Sequence, residues 1–364
     1  MTHVAELRTP ALLLDLDILE RNIAWMANRA RTLGVALRPH VKTHKCREIA
    51  ERQQDLGSRG ITVATLQEAR DFAAHGFDDI TWAFPVVLGR IDEAVRLAHS
   101  VTLRFTIDSI EAIDALEKVG HPLHVWLKVD CGYHRAGVDP STPHAVALAT
   151  RLAGSSSLEF DGLLTPAGHT YDGPSKAESA AAATEERDTM LEFAAQLRAA
   201  GIEVPGISVG STPGMRAIDH LDGITEARPG NYVFYDYTQV TLGTCAPREC
   251  AVTVLASVVS SQPGRDHCVI DAGALALSKD PGRGGLPSPT MGEIFSDYAG
   301  GSLHDRTRVV GLSQEHGRVT GTFRVGERVR ILPNHSCLTA ACFDEYQVVL
   351  GEEVVDRWKI WRER

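Results

Sequence analysis

Several short stretches of the 364-residue sequence concentrate side chains that can do chemistry. Arg38-Pro-His-Val-Lys-Thr-His-Lys45 is dense in cations and imidazoles. Its two lysines, Lys42 and Lys45, compete for the role of a reactive amine. Beside His40, His44 and Arg38 a lysine feels like-charge repulsion and desolvation, both of which favour the neutral form. A neutral amine forms a Schiff base with a carbonyl compound; the plainer alternative is a solvated cationic turn. Gly210-Ser-Thr-Pro-Gly214 sets the hydroxyls of Ser211 and Thr212 at a helix start, where orphan N–H groups and the helix dipole favour an anion such as phosphate. Gly230, lacking a Cβ, lets the backbone donors of Gly230-Asn231 approach the same anion. An ordinary N-cap with proline early in the helix is the plainer reading. In Pro333-Asn-His-Ser-Cys337, His335 and Cys337 stand two residues apart. On a strand they share one face, so imidazole and thiolate could share one metal ion. Nitrogen with sulfur suits Zn2+ best among common ions. Two ligands are too few for a closed structural site, so such a metal keeps open positions. A satisfied histidine beside an inert thiol is the bland reading. Asp344 is a candidate outer partner.

Such side chains need elements to position them. Short β-branched or apolar runs at 35–38, 61–64, 80–84, 103–107, 124–130, 160–165, 206–210 and 223–228 read as strands. Helical patterns near 44–56, 66–75, 88–99, 109–118, 143–153, 177–200 and 213–219 alternate with them, and another at 17–33 precedes the first strand. Eight strands alternating with helices predict a parallel sheet closed as a (β/α)8 TIM-type barrel, with an open doubly wound sheet as the alternative. In such barrels chemistry sits after the C-terminal ends of the strands, often with a phosphate after strands seven and eight. The polar clusters fall there: Arg38–Lys45 after strand one, Asp130-Cys-Gly-Tyr-His-Arg-Ala-Gly137 after strand five, Gly168-His-Thr-Tyr171 after strand six, and the two glycine-bearing stretches after strands seven and eight.

Beyond Asp236 helical patterning gives way to β-rich runs at 251–260, 269–271, 308–312, 319–322, 329–332 and 346–350. Gly/Pro-rich connections separate them, notably 280–289. The expected organisation is a barrel over 16–236 and a β-domain over 237–364 joined by residues 1–15. Thirty-seven Lys+Arg against 47 Asp+Glu leave a net charge of −10, which argues against a general nucleic-acid binder. No apolar run approaches the ~18 residues of a membrane span. MTHVAELRTP has neither the basic nor the apolar part of a signal peptide. Seven irregularly spaced cysteines argue against a disulfide framework. The expectation is a cytoplasmic enzyme with no membrane or nucleic-acid partner.

Taken together, Leu37–Lys45, Lys128–Gly137, Gly168–Tyr171, Val209–Pro213, Arg228–Tyr232 and Pro333–Cys337 resemble, in family order, the D-serine dehydratase / D-threonine aldolase family. These are pyridoxal-phosphate enzymes with the alanine-racemase fold, a barrel followed by a β-domain. The resemblance implies that Lys42 carries the cofactor as a Schiff base. It gives the phosphate to Ser211, Thr212, Gly230 and Asn231, sets Arg135 near the cofactor's phenolic oxygen, lines the pocket with Tyr171, and places Arg228 towards the pyridine nitrogen. His335 and Cys337 would hold a divalent metal, zinc first with manganese or magnesium as alternatives, near the substrate's β-hydroxyl. Cysteine rather than a carboxylate in that pair points to a dehydratase of D-serine or D-threo-3-hydroxyaspartate type. The alternative is an aldolase in which His169 is the base. An amino-acid racemase and a non-catalytic cofactor carrier are further readings. The resemblance also implies a homodimer acting on a small D-amino acid.

Overall fold

In the computed structural model, which describes residues 2–173, 175–282 and 290–363, the apolar runs of the first two thirds become parallel strands. They are Ala36–Leu37, Ile61–Val63, Asp79–Pro85, Thr102–Ile107, Leu123–Lys128, Leu158–Leu164, Gly206–Val209 and Glu226–Ala227. The last is much shorter than the apolar run 223–228 suggests. From the second to the eighth, each strand pairs in parallel with the next, and the eighth pairs with the first. The first and second meet at a parallel bridge between His40 and Thr62, where the Thr62 N–H donates to the Pro39 carbonyl at 2.8 Å. The result is the expected (β/α)8 barrel.

Helices begin where capping chemistry allows. Thr65 caps Leu66–Ala73, Thr142 caps Pro143–Ala153 with proline in the first turn, and Ser175 with Glu178 forms a reciprocal box at Lys176–Ala199. Inside the barrel Gly162 and Gly206 pair across adjacent strands. A Cβ on Gly162 would stand 1.9 Å from the Gly206 oxygen, and one on Gly206 would stand 2.7 Å from the Trp126 ring, so two bare backbones make room for the indole.

At the strands' N-terminal end the interior is charged. Arg38 binds Asp79 at 2.7 Å and Glu226 at 2.6 Å, Arg104 binds Asp79 and Asp161, and His124 binds Asp161 at 2.9 Å. Asp79 and Glu226 are the first residues of their strands.

The remaining strands form a ten-stranded sheet. Val252–Ser261, His267–Ile270, Gly317–Thr320, Ser302–Leu312, Gly292–Asp297 and Arg328–Leu332 pair antiparallel in that order, and the last returns to the first. From this ring an arm runs through Ala11–Asp15, Glu345–Leu350 and Glu353–Lys359 to Thr2–His3. Of the connection at 280–289, residues 283–289 lie outside the described residues.

By contacts the chain divides into two units. One gathers Met26–Lys42 and Ala50–Gly230 around the parallel sheet, the other Met1–Trp25, Thr43–Ile49 and Asn231–Arg362 around the antiparallel one. Among the described residues no helix is long and apolar enough to cross a membrane.

Candidate active site

In the barrel unit a cationic cluster stands at the C-terminal ends of the strands. Lys42 is exposed in the turn Val41–Thr43. Lys128, the last residue of its strand, is 3% exposed and donates to the Ala83 carbonyl at 3.2 Å. Burial, together with the charges of Arg228, Arg135 and Lys42 and against that of Asp108, pushes its ammonium down to about 8. Burial, with Lys42 and Arg228, likewise holds His40 well below the usual imidazole range, so it stays neutral. Arg38 does not join the cluster, contrary to the sequence expectation. Its guanidinium is spent on Asp79 and Glu226, and the cations facing Lys42's surroundings are Lys128 and Arg228. Lys45 is separated from Lys42 by burial and lies in the left-handed backbone region at φ +48°.

Arg228 is buried, donating to the Ser208 hydroxyl at 2.6 Å and to the Thr165 carbonyl. Burial pulls it down to about 10, against the pull of Glu226 and Glu186. Arg135 is exposed, its guanidinium carbon 4.8 Å from the centre of the Tyr133 ring. Ser211 caps Thr212–Ala217, accepting from the Gly214 N–H at 3.1 Å while bonding Thr170 at 2.7 Å. Gly210 before it holds φ +106°, a conformation glycine adopts freely. His169 and Tyr171 lie in the short helix Gly168–Tyr171. The His169 Nε2 bonds the Ala182 carbonyl at 3.1 Å, and its Nδ1 is buried without a partner among the described residues.

These groups fit pyridoxal phosphate as a donor set. They comprise an exposed amine beside other cations, hydroxyls and N–H groups at a glycine-bearing turn, and guanidinium groups for the ring.

The second cluster lies in the β unit. His335 and Cys337 are not on a strand, as their spacing had suggested. Arg328–Leu332 ends before them, His335 is the N-cap of Ser336–Ala340, and Cys337 is in that helix's first turn. The side chains still meet, because a cap and the first turn wrap close together. Burial opposes a charged imidazole, but the charge of Cys337 and bonds to Asp280 and Cys337 push His335 up to about 11. Burial likewise works against a thiolate at Cys337, yet His335 and a hydroxyl contact from Thr43 at 3.5 Å bring it down.

Asp280 binds His335 Nδ1 at 2.8 Å, the carboxylate support that a metal-ligating imidazole commonly has. Sequence reasoning missed Asp280. Asp344, the partner it offered instead, is exposed and paired with Arg362. Asn334, next to His335, fixes the Asp280 backbone through its amide at 3.0 Å. The buried Asp236 accepts from the Ser336 N–H at 3.0 Å and from the Asn231 amide at 2.8 Å. The Asn231 side chain therefore belongs to the cysteine's surroundings, and what Asn231 can offer a phosphate is its N–H at the start of the turn Asn231–Val233.

Among the described residues no group of three or more His, Cys, Asp and Glu side chains is placed to hold a metal ion. A nitrogen and a sulfur with a carboxylate behind the imidazole fit a divalent ion that keeps coordination positions open for other ligands.

Comparison with known proteins adds the following. The family domain described as alanine racemase, N-terminal domain, matches residues 14–238, and the serine dehydratase domain matches 251–349. The D-threo-3-hydroxyaspartate dehydratase of Delftia sp. (strain HT23) is 37% identical, over 97% of each chain. The D-serine dehydratase of Dictyostelium discoideum is 34% identical, over 98% of this chain and 97% of its own. A D-threonine aldolase from Arthrobacter sp. is 30% identical, over 98% and 93%. The solved structure of the Delftia sp. HT23 dehydratase superposes with a TM-score of 0.95 at 36% identity, covering both chains completely.

Proposed function

The chain belongs to the alanine-racemase-fold family of D-serine and D-threo-3-hydroxyaspartate dehydratases and D-threonine aldolases, and on that premise we propose that it dehydrates a D-3-hydroxy amino acid to a 2-oxo acid and ammonia. The family implies pyridoxal phosphate, and the reaction makes the enzyme a lyase. The observation that carries the dehydratase reading is the His335–Cys337 pair with Asp280 behind the imidazole. Hydroxide is a poor leaving group, and a nitrogen–sulfur pair of this kind holds the Lewis acid that its departure needs.

When bound, the cofactor supplies an electron sink for the charge left at Cα, and zinc, with manganese or magnesium as alternatives, supplies Lewis acidity at the β-oxygen. The chain does the rest. Lys42 would anchor the cofactor through Nζ, and the same Nζ would take the substrate's α-proton. Ser211, Thr212, Gly230 and the Asn231 N–H hold the phosphate. Arg135 would meet the phenolic oxygen, Arg228 would face the ring nitrogen, and Tyr171 would line the pocket. Asp280 keeps His335 in the tautomer that presents Nε2. A homodimer in the cytoplasm completes the reading.

One observation favours the aldolase alternative. With Nε2 held by Ala182, His169 leaves a buried Nδ1 lone pair able to take a proton from a β-hydroxyl. D-threonine separates the two reactions. With pyridoxal phosphate and Zn2+ or Mn2+, the expected products are 2-oxobutyrate and ammonia. Glycine with acetaldehyde would install the aldolase instead. If neither forms, D-threo-3-hydroxyaspartate and D-serine decide, and silence on all three would remove the dehydratase assignment.

A further inference from the structure

Helix Lys176–Ala199 buries one carboxyl group for which the scheme above has no use. Glu186 is 2% exposed, and its Oε1 accepts the Gly210 N–H at 3.3 Å. Gly210 is the left-handed residue that turns the chain into Ser211 and Thr212, so this bond fixes the peptide from which the phosphate-facing turn starts.

Neighbouring elements bring few titratable groups to the helix. Arg228 follows the eighth strand and Cys131 follows the fifth. His169, Tyr171 and Arg216 lie on the two short helices packed against it, and His220 meets the helix's own Arg187. Of these, Arg228 acts on Glu186 and favours its charged form. Cys131 is itself pushed up to about 12, chiefly by burial, and stays a neutral thiol.

We propose that Glu186 is a positioning residue for the cofactor's phosphate, holding the Gly210 turn as a neutral acid and loosening the phosphate's hold when it ionises. The proposal rests on the assignment of Ser211 and Thr212 to the phosphate. Burial outweighs the Gly210 bond and Arg228 and pushes Glu186 up to about 8, so the change falls within a range that proteins tolerate. Above that pH a second negative charge stands behind the turn that must hold a dianion. By linkage, phosphate binding then draws a proton onto Glu186.

The test compares binding of pyridoxal phosphate and of pyridoxal, which lacks the phosphate, to the cofactor-free protein between pH 7 and 9.5. Both ligands share the chemistry at Lys42, so their ratio isolates the phosphate. In the unaltered protein the advantage of pyridoxal phosphate should fall about tenfold across this range, the size of one pKa unit of coupling. In Glu186→Gln, which keeps the acceptor for Gly210 but cannot ionise, the fall should be at least about threefold smaller, because Lys128 titrates alike in both proteins. A role confined to folding would leave the two profiles parallel, and parallel profiles overturn the proposal.

A second measurement reads the proton directly. At pH 8 the native protein should take up more proton on binding pyridoxal phosphate than Glu186→Gln does, and equal uptake overturns the proposal. If the two ligands bind with equal affinity at every pH, the phosphate assignment itself falls, and this inference with it.

Discussion

Lys42 and Lys45 belong to one motif, yet the fold gives them opposite surroundings: one amine is exposed beside a cationic cluster, the other buried. Lys42→Ala is therefore expected to abolish turnover and the borohydride-stable attachment of pyridoxal phosphate to the chain. A labelled peptide lacking residue 42 would reassign the lysine. Asp280 makes a quieter contribution. Asp280→Asn keeps the size but loses the charge behind His335, which should weaken metal binding about 10–100-fold, read by competition with a chelator. Unchanged affinity would mean that the imidazole does not bind metal through Nε2. Lysines, glycines and the His-x-Cys pair were legible as types at spacings. Asp280 was not, because it lies 55 residues from its partner and only the folded connection brings it there. The side chain of Asn231 was illegible for a similar reason. A glycine-asparagine pair suggests backbone donors, and nothing local says that the amide will turn towards Asp236 and Ser336.

At the level of elements the barrel was readable because most strands are apolar runs and most helices longer amphipathic ones, while Glu226–Ala227 and Thr212–Ala217 are too short to carry a pattern. The β unit was only partly readable. Gly292–Asp297 and Glu353–Lys359 escaped notice, the latter because most of its residues are exposed and polar and it lacks a buried run. Two predictions test the barrel. Gly162→Ala asks a φ of +126° and a clash with the Gly206 backbone from a residue that tolerates neither. It should cost on the order of 2–4 kcal/mol in denaturant unfolding, and a loss under about 0.5 kcal/mol would show that the strands can separate freely there.

His124 at the charged end supplies the pH test. Its bond to Asp161 is the leading cause of an imidazole pKa raised above its ordinary value, with partial burial opposing. A group raised in the folded state contributes fully below its unfolded value, and the contribution disappears as pH climbs through the folded one. The melting-temperature gap between the native protein and His124→Gln should thus be widest below about pH 6 and close as pH rises. A gap that widens with pH would reverse the assigned role. With the side chain one-third exposed, the effect should be small and sensitive to salt.

For the molecule as a whole, the order of the chain does not follow the order of its units. The stretch Thr43–Ile49, immediately after Lys42, is counted by its contacts with the antiparallel unit, where Tyr346 donates to the His44 carbonyl at 2.8 Å and the Trp361 N–H to that of Lys45 at 2.9 Å. A chain cut short after residue 230 should therefore be nicked by protease within 43–49 while the full chain resists, and equal resistance would show that those bonds are dispensable. The composition had suggested two bodies, but not that one of them would claim seven residues from within the other's span, because such a claim depends on partners some 300 positions away.

The antiparallel ring described above has one more consequence. Because Val252–Ser261 and Arg328–Leu332 close it, the ring has neither a first nor a last strand among the described residues, and the open edge is left to the arm, where Thr2–His3 covers only the start of the charged strand Glu353–Lys359. None of the residues assigned to cofactor, metal or proton transfer lies within a strand. Selection can therefore exchange a ligand or a base in the connections without touching the ladders that hold the frame, which makes this architecture forgiving ground for new chemistry.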